Sequence, residues 1–273
     1  DLLADDDWTD WSGRLSLAHQ TRPDLLLFAT VSRGFKSGGF NGRPQQRQVL
    51  DPFDPEIVVG YELGFKGDFN DRKVRLNGSA FFSDYQDIHF AASLDVNGLP
   101  VFVTQNAGDA EIWGFELELQ SYLSDTVFLL ATLSHLDNRL TSLDPRVPAS
   151  GVDLDDRLPR TPEWSYSLAL QSSQLVDDRG LLIARVDWAW RDDYFQDFAN
   201  NPGIVQEAFG LLSARLSWTP LSERWSPLEL ALFGTNLTDE AYLESGFVAG
   251  AFGVNLGIAA DPRLWGVEAT WRF

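Results

Sequence analysis

Residues 59–73 read VGYELGFKGDFNDRK. Through residue 69 the pattern alternates. Val59, Tyr61, Leu63, Phe65 and Phe69 fall on one face, with Glu62, Lys66 and Asp68 on the other. A helix turns about 100° per residue and would scatter these two sets, whereas an extended strand keeps them apart. The polar run FNDRK (69–73) then supplies turn-forming residues. A strand whose faces differ this sharply, followed by a tight reversal, is the unit of an antiparallel meander.

The same period of two recurs along the chain. Trp113, Phe115, Leu117 and Leu119 oppose Glu116, Glu118 and Gln120; Trp164, Tyr166, Leu168 and Leu170 oppose Ser165, Ser167 and Gln171. Leu182, Ala184, Val186, Trp188 and Trp190 oppose Arg185, Asp187 and Arg191; Gly210, Leu212, Ala214, Leu216 and Trp218 oppose Ser213, Arg215 and Ser217. About eleven strands are expected, beginning near Trp11, Leu25, Glu56, Lys73, Glu111, Thr126, Pro162, Leu181, Gln206, Pro227 and Arg263. In LLLFATVS (25–32) and VFLLATLS (127–134) both faces are partly apolar, so the phase stays open there.

The connections alternate strictly. The short ones are HQTRPD, FNDRK, YLSDT, VDDRG and SERWSP, and the long ones span roughly 35–56, 89–111, 137–162, 191–206 and 241–263. A soluble sandwich places long loops at either end. Short turns on one side and long loops on the other characterise a transmembrane β-barrel, whose strands of about 9–11 residues cross the bilayer at a tilt. Trp8, Trp11, Trp164, Trp188, Trp190, Trp218, Trp225, Trp265 and Trp271 cluster near strand ends, as aromatic girdles would. The expected fold is all-β: an antiparallel up-and-down barrel wall, one domain, with apolar residues toward lipid and polar residues toward a lumen.

Composition narrows function by exclusion. A net charge of −19 over 273 residues opposes general nucleic-acid binding. No cysteine is present, and His19, His89 and His135 lie far apart, so neither a thiolate site nor a metal-ligand spacing is found. The chain opens on DLLADDDWTD, with no initiator Met and no secretory signal, so a portion of something longer is expected. RGFKSGGFNGR (33–43) is Gly-rich but lacks phosphate-loop spacing and a following helix; its glycines fit a strand top bending into a loop. Glu116 and Glu118 are expected to pair with Arg75, Arg185 or Arg215 across a lumen rather than act as a catalytic dyad. The acidic runs at 4–7 and 153–157 lack the spacing of a calcium loop. The sequons at Asn77 and Asn236 are discounted because they fall in or beside strands. No Ser/His/Asp arrangement stands out, and neither enzyme activity nor a cofactor is expected.

Six segments, in order, resemble the TonB-dependent outer-membrane receptors: VSRGFKSGGFNGR, YELGFKGDFNDRKVRLNGSAFFSDYQDI, NAGDAEIWGFELELQ, LPRTPEW, GTNLTDEAYL and DPRLWGVEATWRF. The resemblance runs from about Trp11 to Phe273. It implies a 22-stranded barrel in the outer membrane of a Gram-negative bacterium, of which residues 1–273 would be the C-terminal half. The N-terminal plug domain and TonB box are missing from the sequence. It also implies uptake of a scarce solute such as a ferric siderophore, driven by the TonB complex. Outer-membrane lipid and the barrel-assembly machinery would be further partners, the latter reading a terminal signal made of Trp265, Trp271 and Phe273. Loop contacts to ligand are expected from Arg33, Lys36, Phe40, Asn41 and Arg43. A passive porin is the alternative, and a soluble β-sandwich binding protein a more distant one.

Overall fold

The structure is a computed structural model that describes residues 5–41, 52–96, 99–145, 147, 151–221, 228–249 and 253–271. One antiparallel sheet dominates it. Its strands are β1 (Gly13–Arg22), β2 (Leu25–Lys36), β3 (Glu56–Phe69), β4 (Val74–Gln86), β7 (Ala110–Tyr122), β8 (Val127–Leu140), β9 (Trp164–Val176), β10 (Gly180–Arg191), β11 (Phe209–Pro220), β12 (Leu228–Thr235) and β15 (Leu264–Trp271). They pair in chain order, β1 to β15, and the sheet is open, with β1 and β15 at its two edges. These are the eleven strands expected. The sequence reading missed two hairpins inside the long loops: β5 (His89–Val96) with β6 (Leu99–Asn106), and β13 (Leu243–Ala249) with β14 (Val254–Ala259). The latter segment mixes Gly, Ala and Ser with its apolar residues, which blurs a period-two signal. No second sheet packs against the wall, so a sandwich is excluded among the described residues.

Register assigns the faces. Thr30 stands opposite Ser16 and Glu62, Ser79 opposite Gly64 and Glu116, and Ser134 opposite Glu116 and Ser165, giving one polar belt across β1–β9. It continues through Arg185, Asp187, Arg215, Glu229 and Glu268. The opposite face is apolar and open: Leu15, Leu17, Leu63, Leu168, Leu216, Leu232 and Val267 are all exposed. The two segments of open phase resolve by their pairing. Thr30 and Ser32 of β2, and Thr132 and Ser134 of β8, join the polar belt. Their phase was obscured because the polar face itself turns apolar toward the short-turn end, at Leu26, Phe28, Phe128 and Leu130.

Cross-strand contacts fix this register. Hydroxyl pairs join Ser16 to Thr30 (3.0 Å), Thr132 to Ser167 (2.7 Å) and Ser134 to Ser165 (3.3 Å). The Phe28 ring lies over Gly64, where any Cβ would collide with it, and Lys66 approaches the same ring at 6.0 Å. The expected partners of Glu116 and Glu118 are corrected. Arg75 binds Asp68 (2.7 Å), Arg185 binds Asp187 (2.7 Å), and Arg215 binds Glu268 (2.8 Å). Glu118 instead accepts from Gln120 (2.6 Å) and Asn77 (3.4 Å). Adjacent strands lie about 4.8 Å apart, so Arg185 and Arg215, three and four strands from β7, are out of reach.

Aromatic side chains sit at both ends of the apolar face. Toward the long loops, Tyr166 stacks on Trp190 (5.3 Å), and His135 packs between Phe115 and Trp164. Toward the short turns, Tyr122 meets Phe128 (5.1 Å), and Trp218 and Trp271 lie near strand ends. Trp225 and Phe273 lie outside the described residues. With lipid against this face, Val186→Arg in mid-β10 should cost about 2–4 kcal/mol of folding free energy, the range for a cation near a bilayer midplane. Ser217→Arg on the polar face should cost much less. Denaturant titration of the receptor in lipid vesicles measures both.

Candidate functional site

The buried apolar core does not lie in the wall. It lies at the long-loop end, where Ile88, Phe90, Val103, Ala107, Val147, Val152 and Leu158 pack on Ala110 and Leu140 at the strand tops. Tyr85, Ile112, Leu143, Phe198 and Ala199 complete the cluster. Tyr85, Ile112 and Leu140 share the polar-belt side of their strands, so the loops fold inward over that face. Phe90 meets Phe198 edge-on at 4.8 Å, which brings the second and fourth loops together.

Side-chain amides tie neighbouring loops. Between the first and second, Asn41 donates to the Thr104 carbonyl (3.0 Å) and accepts from the Thr104 N–H (2.6 Å), as a strand partner would. Buried Asn106 accepts from the Asp54 N–H (2.8 Å) and donates to the Asp54 and Asp87 carbonyls. Between the second and third, the Ser142 hydroxyl donates to the Asp109 carboxylate (2.8 Å) and Asp144 N–H to the Ala107 carbonyl (2.8 Å).

Between the third and fourth, Asn200 accepts from the Arg157 N–H (2.9 Å) and donates to the Arg157 carbonyl (2.8 Å). The Arg157 guanidinium binds Asp193 (2.7 Å) and lies over the Phe195 ring (5.0 Å). Between the fourth and fifth, Leu243 N–H donates to Gln206 (2.6 Å), and Phe209 stacks on Tyr242 (4.5 Å). Buried polar groups are satisfied this way because an unmade bond is costly away from water. The five loops thus form one linked rim.

One carboxylate in this rim is perturbed. Asp87 has a left-handed backbone (φ 55), and its N–H donates to Asp109 (3.1 Å). Partial burial, then the negative charges of Asp109, Asp54 and Asp144, push its pKa up, opposed weakly by His89.

The expected ligand contacts separate. Alternation along β2 puts Arg33 and Lys36 on opposite faces. Arg33 forks onto both carboxylate oxygens of Asp10 (2.7 and 3.0 Å), donates to the Trp11 carbonyl, and lies 4.6 Å over the Trp11 ring. Lys36 is exposed on the polar-belt side, opposite Glu56, and has no ion-pair partner among the described residues. Phe40 meets Trp8 edge-on at 5.5 Å, and Asn41 is engaged with Thr104. Arg43 lies outside the described residues. The sequence reading missed Asn106, Asn200, Gln206 and Asn236. Their one signal was the turn chemistry of NAGD, ANNPG and GTNLTDE. Asn236 is buried and donates to the Glu240 and Asp261 carbonyls, closing the fifth loop at its base.

Among the described residues no group of His, Cys, Asp or Glu is arranged to hold a metal ion. No helix is long and apolar enough to cross a membrane, which says nothing of strands.

Comparison with known proteins bears on this geometry. A family model described as TonB dependent receptor-like, beta-barrel, matches residues 2–237. The pesticin receptor of Yersinia pestis is 23% identical over 243 residues, covering 89% of this chain and 33% of that protein. The metal-pseudopaline receptor CntO of Pseudomonas aeruginosa is 27% identical over 155 residues, covering 57% of this chain and 20% of the relative. Among solved structures, the ferric yersiniabactin uptake receptor FyuA from Yersinia pestis superposes with a TM-score of 0.79 at 20% identity, over 96% of this chain and 37% of that one. The copper transporter OprC gives 0.72 at 17% identity, over 96% and 39%. The chain spans a third or less of the curated relatives it matches.

Two outcomes follow for the rim. Asn200→Ala strips the Arg157 backbone of both partners, so hydrogen exchange at residues 151–160 should show local opening easier by about 1–3 kcal/mol, with β9 and β10 unchanged. A raised carboxylate pKa means the folded state holds the proton more tightly, so this group's contribution is lost as pH rises from the unfolded to the folded value. Rim protection measured at neutral pH should therefore increase in Asp87→Asn, and its change with acidification should shrink.

Proposed function

The chain belongs to the TonB-dependent receptor-like β-barrel family, and from that premise we propose that it forms wall and outer mouth of a receptor that imports a metal chelate, with a ferric siderophore as the leading class. The family places it in the outer membrane, and its relatives are transport receptors rather than enzymes. The observation that carries the reading is the linked rim. Five long loops fold over the polar face of an open sheet and hold one another, which is the form of a prearranged mouth above a water-lined passage. The named relatives include receptors for a metal–pseudopaline complex and for ferric yersiniabactin.

The rest of the proposal concerns the whole receptor. The plug and the TonB contact would be supplied by parts of the protein other than these residues, and TonB would energise passage. The first loop, Arg33–Arg43, contacts ligand, with the roles divided. Lys36 faces the passage and offers a free ammonium to an anionic oxygen of the chelate. Arg33, Phe40 and Asn41 hold the loop through Asp10, Trp8 and Thr104. Arg43 is assigned to the same loop from the sequence alone.

In the full-length receptor, calorimetry with a panel of ferric chelates should find one that binds, and Lys36→Ala should weaken it about tenfold, or about 1.4 kcal/mol. Unchanged affinity removes Lys36 from the contact. Uptake of that chelate by cells should stop when the proton gradient is collapsed. Continued uptake would instead indicate a passive pore.

A further inference from the structure

The apolar face of β10, β11, β12 and β15 is not flat. It contains a groove of about 410 Å³ whose side chains on that face are Ala184, Val186, Ala214, Leu216, Leu232 and Trp265, with Leu237 at its upper end. Register explains the hollow. Trp265, Gly234, Ala214 and Val186 stand side by side on four consecutive strands, so two small residues lie between two large ones. Val267, Leu232 and Leu216 form the ridge below. Gly234 is small for a separate reason: a Cβ there would collide with Leu237, which folds down from the strand top and donates its N–H to the Leu212 carbonyl (2.8 Å). The hollow is thus built by the loop base and not by side-chain truncation alone.

We propose that this groove holds one ordered acyl chain of an outer-leaflet phosphorylated lipid. Three features select that occupant. The face lies in the hydrocarbon zone of a membrane-spanning wall, so whatever fills the groove is apolar and comes from the membrane. The groove opens toward the long-loop end, which places it in the outer leaflet and under an interfacial tryptophan, Trp265. Arg263, two residues before Trp265, stands half-exposed where the strand leaves the membrane, in a long ion pair with Asp239 (3.5 Å). A lipid phosphate there would meet a guanidinium that is only loosely held.

The test uses the full-length receptor, extracted in mild detergent and weighed by native mass spectrometry. The parent should carry a phosphorylated outer-leaflet lipid through the detergent wash. Ala214→Leu and Ala184→Leu fill the groove and should reduce the lipid-bound fraction at least fivefold. Ala29→Leu, on the same face of β2 but away from the groove, should leave it unchanged. Arg263→Gln should reduce it partially, and more so as salt is lowered. Equal retention in parent, Ala214→Leu and Ala184→Leu overturns the proposal, as does equal loss in Ala29→Leu. Folding of each variant is checked by its heat-dependent gel migration, so loss of lipid is separable from loss of the barrel.

Discussion

Every feature of this molecule depends on the antiparallel hydrogen-bond ladder and its period of two. A strand sends successive side chains to opposite faces, so a slip of one residue would exchange lipid and water faces along its whole length. Here that exchange would put Glu62, Lys66, Arg185 and Glu268 against hydrocarbon. The ladder is therefore held by contacts that tolerate only one register. Among them are the Phe28 ring over the bare Cα of Gly64, the hydroxyl pairs of β1–β2 and β8–β9, and Arg215 bridging from β11 to Glu268 on β15.

The same ladder explains why the core sits where it does. A sheet with lipid on one face and a wet lumen on the other has no interior of its own. Its apolar face is exposed, and its polar face carries serines, threonines and ion pairs. Dense apolar packing appears only where chain folds back on chain, at the long-loop end. Each loop contributes a few apolar residues to the shared cluster and one or two amides that bond a neighbour's backbone. Such a rim loses little conformational freedom when a ligand arrives, because the ordering cost has been met in folding. The edges are the opposite case. β1 and β15 each have one neighbour within the sheet, and in hydrocarbon an unpaired backbone row is untenable, so both must be paired in the membrane.

The wall was legible in the sequence because its signal repeats. Eleven strand starts fall within three residues of their observed places, and the faces follow from parity. The family motifs were legible too, and NLTDE has a structural account in the buried amide of Asn236. The rim was not legible. Alternation says nothing about which distant loops meet, and an asparagine that clasps Arg157 from residue 200 reads in sequence as turn chemistry. The Gly-rich first loop was read as one basic, ligand-facing unit, yet β2 parity sends Arg33 to the lipid side and Lys36 to the lumen side. That distinction was available from the period of two and was obscured by the glycines around it. The hairpins β5–β6 and β13–β14 were missed because length marked their segments as loops.

The central claim is that adjacent residues of one strand see different solvents. Single cysteines at Ser167 and Leu168 of β9, in an otherwise cysteine-free full-length receptor, can be labelled with a fluorophore and reconstituted with brominated lipid. The label at 168 should be strongly quenched and the label at 167 barely so. Equal quenching at both positions, or the reverse order, would contradict the assignment of faces and the barrel reading with it.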